Sequence, residues 1–272
     1  MEIAVVGGTG TLGRPVVLEL VARGHAVRVL TRSAPAVLPP GAEHRAIDLE
    51  TGAGLGDALA GVDAVVDAAN RAGSGRTAAP VIVAGTRRLL TAAAHAGVGH
   101  HVAVSIVGID AVPLSYYRAK LAQEDAVERS AVPWSIVRAT QFHELLHWGF
   151  GLTARAGFVP GLRFPVAPLD PRFLAGVLAD AVVRGPGGRL APVAGPQVAP
   201  LGELARTWAR VRGRRAVPLP LPLPRGARRA LAAGALVPGH GAVTGGPSFG
   251  DWLRAAGEPG PPARARAAEV VG

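Results

Sequence analysis

The sequence contains no cysteine among its 272 residues. This absence excludes a disulfide framework and a zinc site built from thiolates. The chain also lacks an uninterrupted apolar run of the roughly 18 to 20 residues that a membrane helix needs. No basic and apolar signal segment precedes the first predicted strand, which begins at residue 2. We therefore expect a soluble cytoplasmic protein with no membrane partner.

Aromatic residues are scarce, at 4% of the chain, although the formal net charge is +10. Such a charge is typical of proteins that bind nucleic acids. The basic residues do not form one stripe, apart from a local arginine cluster over 206–215, and few aromatic side chains lie among them for base stacking. We therefore expect a solvated basic surface and no nucleic-acid partner.

Lysine is nearly absent, because only Lys120 among the 29 basic residues is a lysine. Asn70 is likewise the one asparagine in the chain. Residues with AT-rich codons are scarce throughout, which indicates a GC-rich coding sequence in which arginine tends to replace lysine. The retention of one lysine therefore favours a chemical role for it.

The N-terminal stretch 2–33 has the most informative pattern. An apolar run predicts a buried strand, and Gly7, Gly10 and Gly13 follow it with the spacing G-x-x-G-x-x-G. Helical periodicity begins after the third glycine. The order of strand, glycine turn and helix predicts a dinucleotide site, in which the helix N-terminus faces the pyrophosphate. A structural turn is the alternative. The expected cofactor contacts in this turn are Gly7, Thr9, Gly10, Thr11, Leu12 and Gly13.

Arg32 and Ser33 follow the second predicted strand, where NAD sites usually place an acidic residue for the ribose 2′-hydroxyl. A guanidinium and a hydroxyl suit a 2′-phosphate instead. We therefore predict NADP(H) in preference to NAD(H), with both residues in the cofactor site. A solvated arginine at a strand end is the alternative.

Strands and helices alternate in the following stretch. The predicted strands are 44–47, 64–68, 101–105 and 134–137, and the predicted helices are 80–96, 114–129 and 141–152. This rhythm predicts an α/β fold with a doubly wound, Rossmann-like parallel sheet. Ligands bind at the carboxyl ends of such strands, which adds Asp48, Leu49, Ala68, Ala69 and Asn70 as candidate cofactor contacts. For Asp48 an ordinary loop carboxylate is the alternative, and for Asn70 a loop turn is equally open.

The alternation weakens beyond about residue 155, where prolines interrupt the chain. The predicted elements there are helices at 172–184, 201–212, 227–236 and 248–256 and an extended proline-rich connector at 217–226. We therefore expect an NADP-binding Rossmann domain (1–155), a small, mostly helical substrate-binding region integrated with it (156–257) and a flexible tail (258–272).

Tyr116 and Lys120 form the pattern Y-x-x-x-K on a predicted helix, so they share one helix face. A lysine beside a phenol favours the phenolate and can also bind the nicotinamide ribose. Ser105 ends the preceding strand, where a hydroxyl can bind a substrate carbonyl. We predict a hydride-transfer site in which Tyr116 donates the proton, Lys120 tunes it and Ser105 orients the carbonyl. A solvated Tyr–Lys pair, or Tyr117 as the acid, is the alternative.

The segments GGTGTLGRPVV, LTRS, VAVSIVGID, YYRAKLAQED and WSIVRATQFHELL resemble NmrA-like, atypical short-chain dehydrogenase/reductase proteins. The resemblance spans roughly residues 2–250 and implies a Rossmann fold that binds NADP(H), with further cofactor contacts at Ala139 and Thr140. It also implies nicotinamide or substrate contacts near Ala139 to Phe142. The candidate substrate contacts are Val107, Gln141, Phe142 and His143. The segment PRFLAGV at 171–177 departs from the family pattern, in which many members begin this helix with an acidic residue.

These features together predict an NADPH-dependent oxidoreductase that acts on a small organic carbonyl or enone, as a monomer or homodimer. The resembled family also includes redox sensors without turnover. An NADP(H)-sensing regulatory protein of NmrA type is therefore the alternative function.

Residues 143–147 read HELLH, which matches the H-E-x-x-H motif of zinc proteases. No metzincin continuation follows, and the next carboxylate is Asp170, beyond intervening prolines. The motif also follows directly after a predicted Rossmann strand. We therefore predict no metal ion and place His143 in the substrate cleft.

Overall fold

The computed structural model describes residues 1–70, 80–220 and 222–255. Its strands are β1 (Glu2–Val6), β2 (Ala26–Thr31), β3 (Ala42–Ala46), β4 (Ala64–Asp67), β5 (His100–Ile106), β6 (Trp134–Ala139), β7 (Phe158–Pro160), β8 (Pro165–Val166), β9 (Gly188–Arg189), β10 (Val193–Ala194), β11 (Ala199–Pro200), β12 (Val217–Leu219) and β13 (Val243–Thr244).

The helices of the described residues are α1 (Gly13–Ala22), α2 (Leu55–Leu59), α3 (Gly85–His95), α4 (Ser115–Glu128), α5 (His143–Ala154), α6 (Pro171–Arg184), α7 (Leu201–Val211), α8 (Arg225–Ala232) and α9 (Phe249–Ala255). A π-helical turn, Pro80–Ala84, precedes α3. Within these stretches, every helix is too short or too polar to cross a bilayer.

The chain forms two compact units. The first consists of Met1–Ser105, Leu114–Arg138 and Leu174–Leu190, and the second of Ile106–Pro113, Ala139–Phe173 and Ala191–Gly272. The division at residues 155 and 257 that the sequence suggests stays a prediction. The predicted tail, 258–272, lies outside the described residues.

The first unit contains a sheet with the strand order β3-β2-β1-β4-β5-β6, and β9 pairs with β6. The pairs β2–β3, β1–β2, β1–β4, β4–β5 and β6–β9 are parallel. The direction in which strands are added reverses at β1, and such a switch point is where doubly wound sheets bind their ligands. The predicted α/β fold with a doubly wound parallel sheet is confirmed.

β1 lies in the centre of this sheet because its residues 3–6 are apolar and at most 1% exposed. A parallel strand with helices on both faces requires such a continuous apolar run. α1 packs on β1 and buries Val16 and Val17. The core of the unit also contains Leu59 and Leu89, which are fully buried. Burial of each such side chain contributes roughly 2 kcal/mol.

The second unit combines short strand pairs with an aromatic cluster. Ala139 pairs in parallel with Val193 of β10, and β10 pairs with β13. β8 and β11 form an antiparallel pair, whereas β7 and β12 form a parallel one. Ring contacts join α5, α7 and α9 with centroid separations of 5.4 to 6.3 Å. The rings of this aromatic cluster are His143, His147, Phe150, Trp208, Phe249 and Trp252.

The helix predicted at 141–152 begins two residues later, at His143. The N–H of Leu169 donates to the Gln141 carbonyl (2.8 Å), and the N–H of His143 donates to the Leu169 carbonyl (3.0 Å). These two bonds hold Gln141 and Phe142 in an extended conformation, because the backbone pairs with the chain beside it instead of starting the helix.

The proline-rich segment predicted as a connector contains a paired strand. β12 lies parallel to β7, and the N–H of Gly161 donates to the Leu219 carbonyl (2.7 Å). The helix predicted at 227–236 is α8, which ends earlier because Gly234 has a φ of +82°. Helix α2 and the strands of two or three residues are absent from the sequence prediction, since elements so short show no periodicity. The glycine-containing segment RAGSGRT at 71–77, which the sequence predicts to be a loop, lies outside the described residues.

Candidate active site

The turn between β1 and α1 requires glycine for steric reasons at two positions. Gly7 has a φ of +72°, and a Cβ atom there would lie 3.0 Å from the Cα of Ala69. A Cβ atom on Gly13 would lie 2.1 Å from the Gly7 carbonyl oxygen, which no side chain tolerates. The N-terminus of α1 therefore approaches the carboxyl end of β1 as closely as in sites that bind a pyrophosphate.

The remaining positions of this glycine turn suit an anion. Thr9 is exposed, Gly10 and Thr11 are half-buried, and Leu12 is buried. The N–H of Gly10 donates to the Gly7 carbonyl (2.9 Å), which fixes the turn. The first turn of α1 contains no acidic side chain, so no negative charge there opposes the helix dipole. These residues fit a dinucleotide, and their individual cofactor contacts stay predictions.

Arg32 follows β2 with an exposed guanidinium. Thr31 Oγ1 donates to the Ser33 carbonyl (2.9 Å) and lies 3.0 Å from His44 Nε2, so the backbone around Arg32 is held in place. Within the described part of the chain, no carboxylate pairs with Arg32. A guanidinium without such a partner is what a bound 2′-phosphate requires.

Arg32 also borders a surface depression of about 270 Å³. Asp48 lies on its wall, and Asp48 Oδ1 accepts the N–H of Glu50 (2.7 Å) and stabilises the following turn. Leu49 packs against the apolar core of the first unit. The residues around the depression are Arg32, Ala46, Ile47, Asp48, Ala53 and Gly54. A cation on the rim makes this depression suitable for a phosphorylated ribose.

The end of β4 lies against the glycine turn. The N–H of Ala68 donates to the Val6 carbonyl (3.1 Å), and the N–H of Ala69 donates to Asp67 Oδ1 (3.1 Å). Asn70 is exposed, and its Oδ1 accepts a hydrogen bond from the Tyr116 hydroxyl (2.8 Å). The structure therefore brings Asn70 and Tyr116 together at the edge of the sheet where the switch point lies.

Tyr116 and Tyr117 have adjacent rings with centroids 6.0 Å apart. Burial raises the pKa of Tyr117 to about 12, and the neighbouring Tyr116 adds to this effect. A phenol with such a high pKa is a poor proton donor at neutral pH. The environment of Tyr117 therefore favours Tyr116 as the acid.

Lys120 is only 4% exposed. Its ammonium donates to the Val104 carbonyl (2.8 Å) and to Gln123 Oε1. Burial lowers the pKa of Lys120 to about 8, although the charges of Asp67 and Glu124 oppose the shift. The partners that the structure shows for Lys120 thus lie in the interior, and its roles toward the phenol and the ribose stay predictions.

Gln123 connects Lys120 to a buried polar network that the sequence analysis missed. Its Nε2 donates to Thr86 Oγ1 (2.8 Å) and to Asp67 Oδ2 (3.2 Å), and Thr86 Oγ1 donates to the same Asp67 oxygen (3.3 Å). An acidic residue at the end of the otherwise apolar strand β4 is the feature of the sequence that indicates such a network.

Ser105 is 3% exposed and lies beside the Glu124 carboxylate. Glu124 Oε2 accepts hydrogen bonds from Arg138 (2.6 Å) and Arg189 (2.8 Å). Burial opposes the ionisation of Glu124, but these arginines outweigh it and lower the pKa of the carboxyl. Ser105 thus lies beside an ion-pair cluster, and its contact with a carbonyl stays a prediction.

The predicted substrate residues belong to the second unit. The N–H of Val107 donates to the Ala139 carbonyl (3.0 Å). Thr140 donates through its N–H to the Val193 carbonyl (3.0 Å) and through Oγ1 to the Ala167 carbonyl. Both amide atoms of Gln141 are buried and, among the described residues, lack a hydrogen-bond partner. Leaving a buried amide without a hydrogen-bond partner costs roughly 1–3 kcal/mol of stability. A ligand that bonds to this amide would remove the cost, so Gln141 is a candidate to bind one.

His143 and His147, the two histidines of the H-E-x-x-H pattern, belong to the aromatic cluster. His143 is fully buried, and its Nε2 lies 3.1 Å from the Pro247 carbonyl, while burial lowers the pKa of its ring. His147 Nδ1 accepts from the Trp208 indole N–H (2.9 Å). In the part of the chain that the structure describes, no group of three or more possible ligands could hold a metal ion.

Comparison with known proteins places the chain among cofactor-dependent reductases. A family model described as NAD(P)H-binding matches residues 7–153, more than half of the chain. A (4-alkanoyl-5-oxo-2,5-dihydrofuran-3-yl)methyl phosphate reductase from Streptomyces griseus subsp. griseus is 34% identical over 221 residues, which cover 78% of this chain and 74% of the relative. A chloroplastic divinyl chlorophyllide a 8-vinyl-reductase from Cucumis sativus is 29% identical over 228 residues, and the chain covers 54% of that relative.

A solved structure has the same fold. The structure of an NADPH-dependent quinone oxidoreductase from Escherichia coli, in complex with NADPH, matches with a TM-score of 0.74 and 20% identity over 93% of this chain and 98% of that chain. The predicted family resemblance and the predicted dinucleotide cofactor are confirmed at the level of NAD(P)H. The chain belongs to the NAD(P)H-binding family and is an NAD(P)-dependent oxidoreductase.

Proposed function

We propose that this protein is an NADPH-dependent reductase of a small organic carbonyl or enone. The proposal rests on the hydrogen bond that the Tyr116 hydroxyl donates to Asn70, in the turn after β4. That turn and the glycine turn follow neighbouring parallel strands, and doubly wound sheets bind dinucleotides between such strand ends. A phenol in this position can protonate the substrate as hydride reaches it.

NADPH rather than NADH is proposed from the charges after β2. Arg32 supplies an exposed cation with no carboxylate partner among the described residues, and an acidic residue at this position would instead repel a 2′-phosphate. Ser33 follows with a hydroxyl. Neighbouring solved structures include complexes with NADPH and complexes with NAD, so the preference rests on Arg32 and Ser33.

Different residues of the chain bind the cofactor and donate the proton. The N-terminus of α1 binds the pyrophosphate, and Arg32 binds the 2′-phosphate. When bound, the nicotinamide supplies the hydride that reaches the substrate carbon. Tyr116 gives up its phenolic proton to the substrate oxygen, so that a carbonyl becomes an alcohol or an enone becomes an enol that rearranges to the ketone. Solvent then reprotonates Tyr116.

Gln141 and the relatives support the substrate class. The Gln141 amide offers a donor and an acceptor with no partner among the described residues, and a substrate carbonyl can accept from its NH₂ group. The two relatives described above are reductases, and the Streptomyces enzyme is named for a 5-oxo-2,5-dihydrofuran, which is an unsaturated carbonyl compound. A cytoplasmic location and a monomeric or homodimeric state stay predictions.

The decisive experiment is consumption of NADPH by purified protein with a panel of ketones, enones and quinones. Tyr116→Phe is expected to lower kcat by about 10²-fold or more, because it removes the acid, and to leave NADPH affinity unchanged. Tyr117→Phe is the matched control and is expected to retain activity. Tight NADPH binding without turnover of any panel member would contradict the proposal and favour the cofactor-sensing alternative.

A further inference from the structure

The one asparagine of the chain is the partner of the proposed acid. Asn70 Oδ1 accepts the Tyr116 hydroxyl at 2.8 Å, across 46 positions of sequence. This oxygen–oxygen distance is typical of an O–H···O hydrogen bond. Because Asn70 is exposed, the core does not require an asparagine there for packing.

The turn that contains Asn70 is attached to α4 at a second place. Asp67 Oδ1 accepts the N–H of Ala69 (3.1 Å), and Asp67 Oδ2 accepts Gln123 Nε2 (3.2 Å). α4 therefore contacts this turn through Tyr116 near its N-terminus and through Gln123 two turns later. Two attachments fix the position of Asn70 relative to the phenol more strictly than one hydrogen bond does.

Lys120 has different partners in the same region. Its ammonium donates to the Val104 carbonyl (2.8 Å) and to Gln123 Oε1. The lysine thus supports Gln123, and through Gln123 the turn, whereas the Asn70 amide bonds the phenol directly.

We propose that Asn70 is the positioning residue for the Tyr116 hydroxyl and partners it in both protonation states. An amide has an oxygen that accepts from a phenol and an NH₂ group that donates to a phenolate. When Tyr116 gives up its proton to the substrate, rotation of the Asn70 amide presents the NH₂ group to the phenolate oxygen. The catalytic consequence rests on the proposed function, but the coupling between the two side chains does not.

The test measures the ionisation of Tyr116 directly. The chain has two tyrosines, so replacing Tyr117 leaves Tyr116 as the one phenol that can be observed. Protein with ¹³Cζ-labelled tyrosine in a Tyr117→Phe background gives one phenol resonance, whose pH midpoint is read by NMR. Two titratable groups of the described residues, Lys120 on α4 and Asp67 on β4, belong to the network that attaches this turn to α4. Both are unchanged in every variant compared.

Asn70→Asp and Asn70→Leu are the matched variants, since they keep the size of the side chain and change its hydrogen bonding. A carboxylate can accept a hydrogen bond from the phenol but repels the phenolate. The pH midpoint of Tyr116 ionisation in Asn70→Asp is therefore expected to be about one pH unit or more higher than in the wild-type protein or in Asn70→Leu. Asn70→Asp is also expected to lower kcat about tenfold at neutral pH and to move the alkaline limb of the pH–rate profile upward.

Coincident midpoints in wild type, Asn70→Asp and Asn70→Leu would overturn the proposal. A loss of NADPH affinity with an unmoved midpoint would also overturn it, and would make Asn70 a cofactor contact. If the midpoint moves but no carbonyl is reduced by any of these proteins, the coupling stands and the proposed reaction fails.

Discussion

At the scale of single residues, Glu144 has a carboxyl whose ionisation the fold opposes. Its Oε2 is buried and lacks a hydrogen-bond partner among the described residues. Burial raises the pKa of Glu144 from 4.5 to about 7, and the nearby charge of Asp170 adds to the shift. The native state therefore keeps this proton in a pH range where the unfolded chain has lost it.

The stability of the protein is expected to depend on pH through this carboxyl. Because the native pKa is raised, the contribution of Glu144 is fully present below about pH 4.5 and is lost as pH rises through about 7. Glu144→Gln stays neutral, so its free energy of unfolding should match wild type near pH 4.5 and exceed it at pH 8, by up to about 3 kcal/mol. Urea unfolding at the two pH values measures the difference, and equal effects of the substitution at both would contradict the prediction.

At the scale of elements, the first half of the chain follows the sequence pattern because its strands and helices are long enough to show periodicity. The glycine turn could also be predicted, since its steric requirements at Gly7 and Gly13 are local. The pairing of Tyr116 with Asn70 could not, because it joins residues 46 positions apart. For Lys120, the spacing from Tyr116 indicates a shared helix face but not the contacts of a long side chain with Gln123.

The connection between α4 and β4 gives a prediction at this scale. Gln123→Leu removes the acceptor of the Lys120 ammonium and a donor to the Asp67 carboxylate, and both groups are buried. We expect the free energy of unfolding to fall by roughly 2–4 kcal/mol, the usual cost of leaving buried charged groups without partners. Chemical denaturation measures the loss.

Arg118→Leu is the matched control on the same helix, because Arg118 is exposed. A surface substitution of this kind changes stability by about 0.5 kcal/mol or less. Equal stability of Gln123→Leu and Arg118→Leu would show that the buried network does not hold α4 to β4.

At the scale of the whole molecule, the candidate residues fall into two groups with different tasks. The glycine turn, Arg32, Asn70 and Tyr116 belong to the first compact unit, and Gln141 belongs to the second. The first group contains the residues proposed to bind the cofactor and to supply the acid. Gln141 in the second unit has a buried amide without a hydrogen-bond partner among the described residues, so we expect its substitution to change substrate choice.

Cofactor binding should stabilise the whole molecule, and the size of the effect tests the assignment of Arg32. A ligand at 100 times its Kd adds about 2.7 kcal/mol to the free energy of unfolding, which for a chain of this size raises Tm by roughly 5–10 °C. NADPH is expected to give this shift and equimolar NADH a smaller one, because only NADPH has a 2′-phosphate for Arg32.

Arg32→Asp should abolish the advantage of NADPH, since its carboxylate repels the 2′-phosphate and suits a ribose hydroxyl. Arg129→Ala, which removes an exposed cation on the surface beyond α4, should leave that advantage intact. Equal thermal shifts with NADPH and NADH in the wild-type protein would show that Arg32 does not select the cofactor.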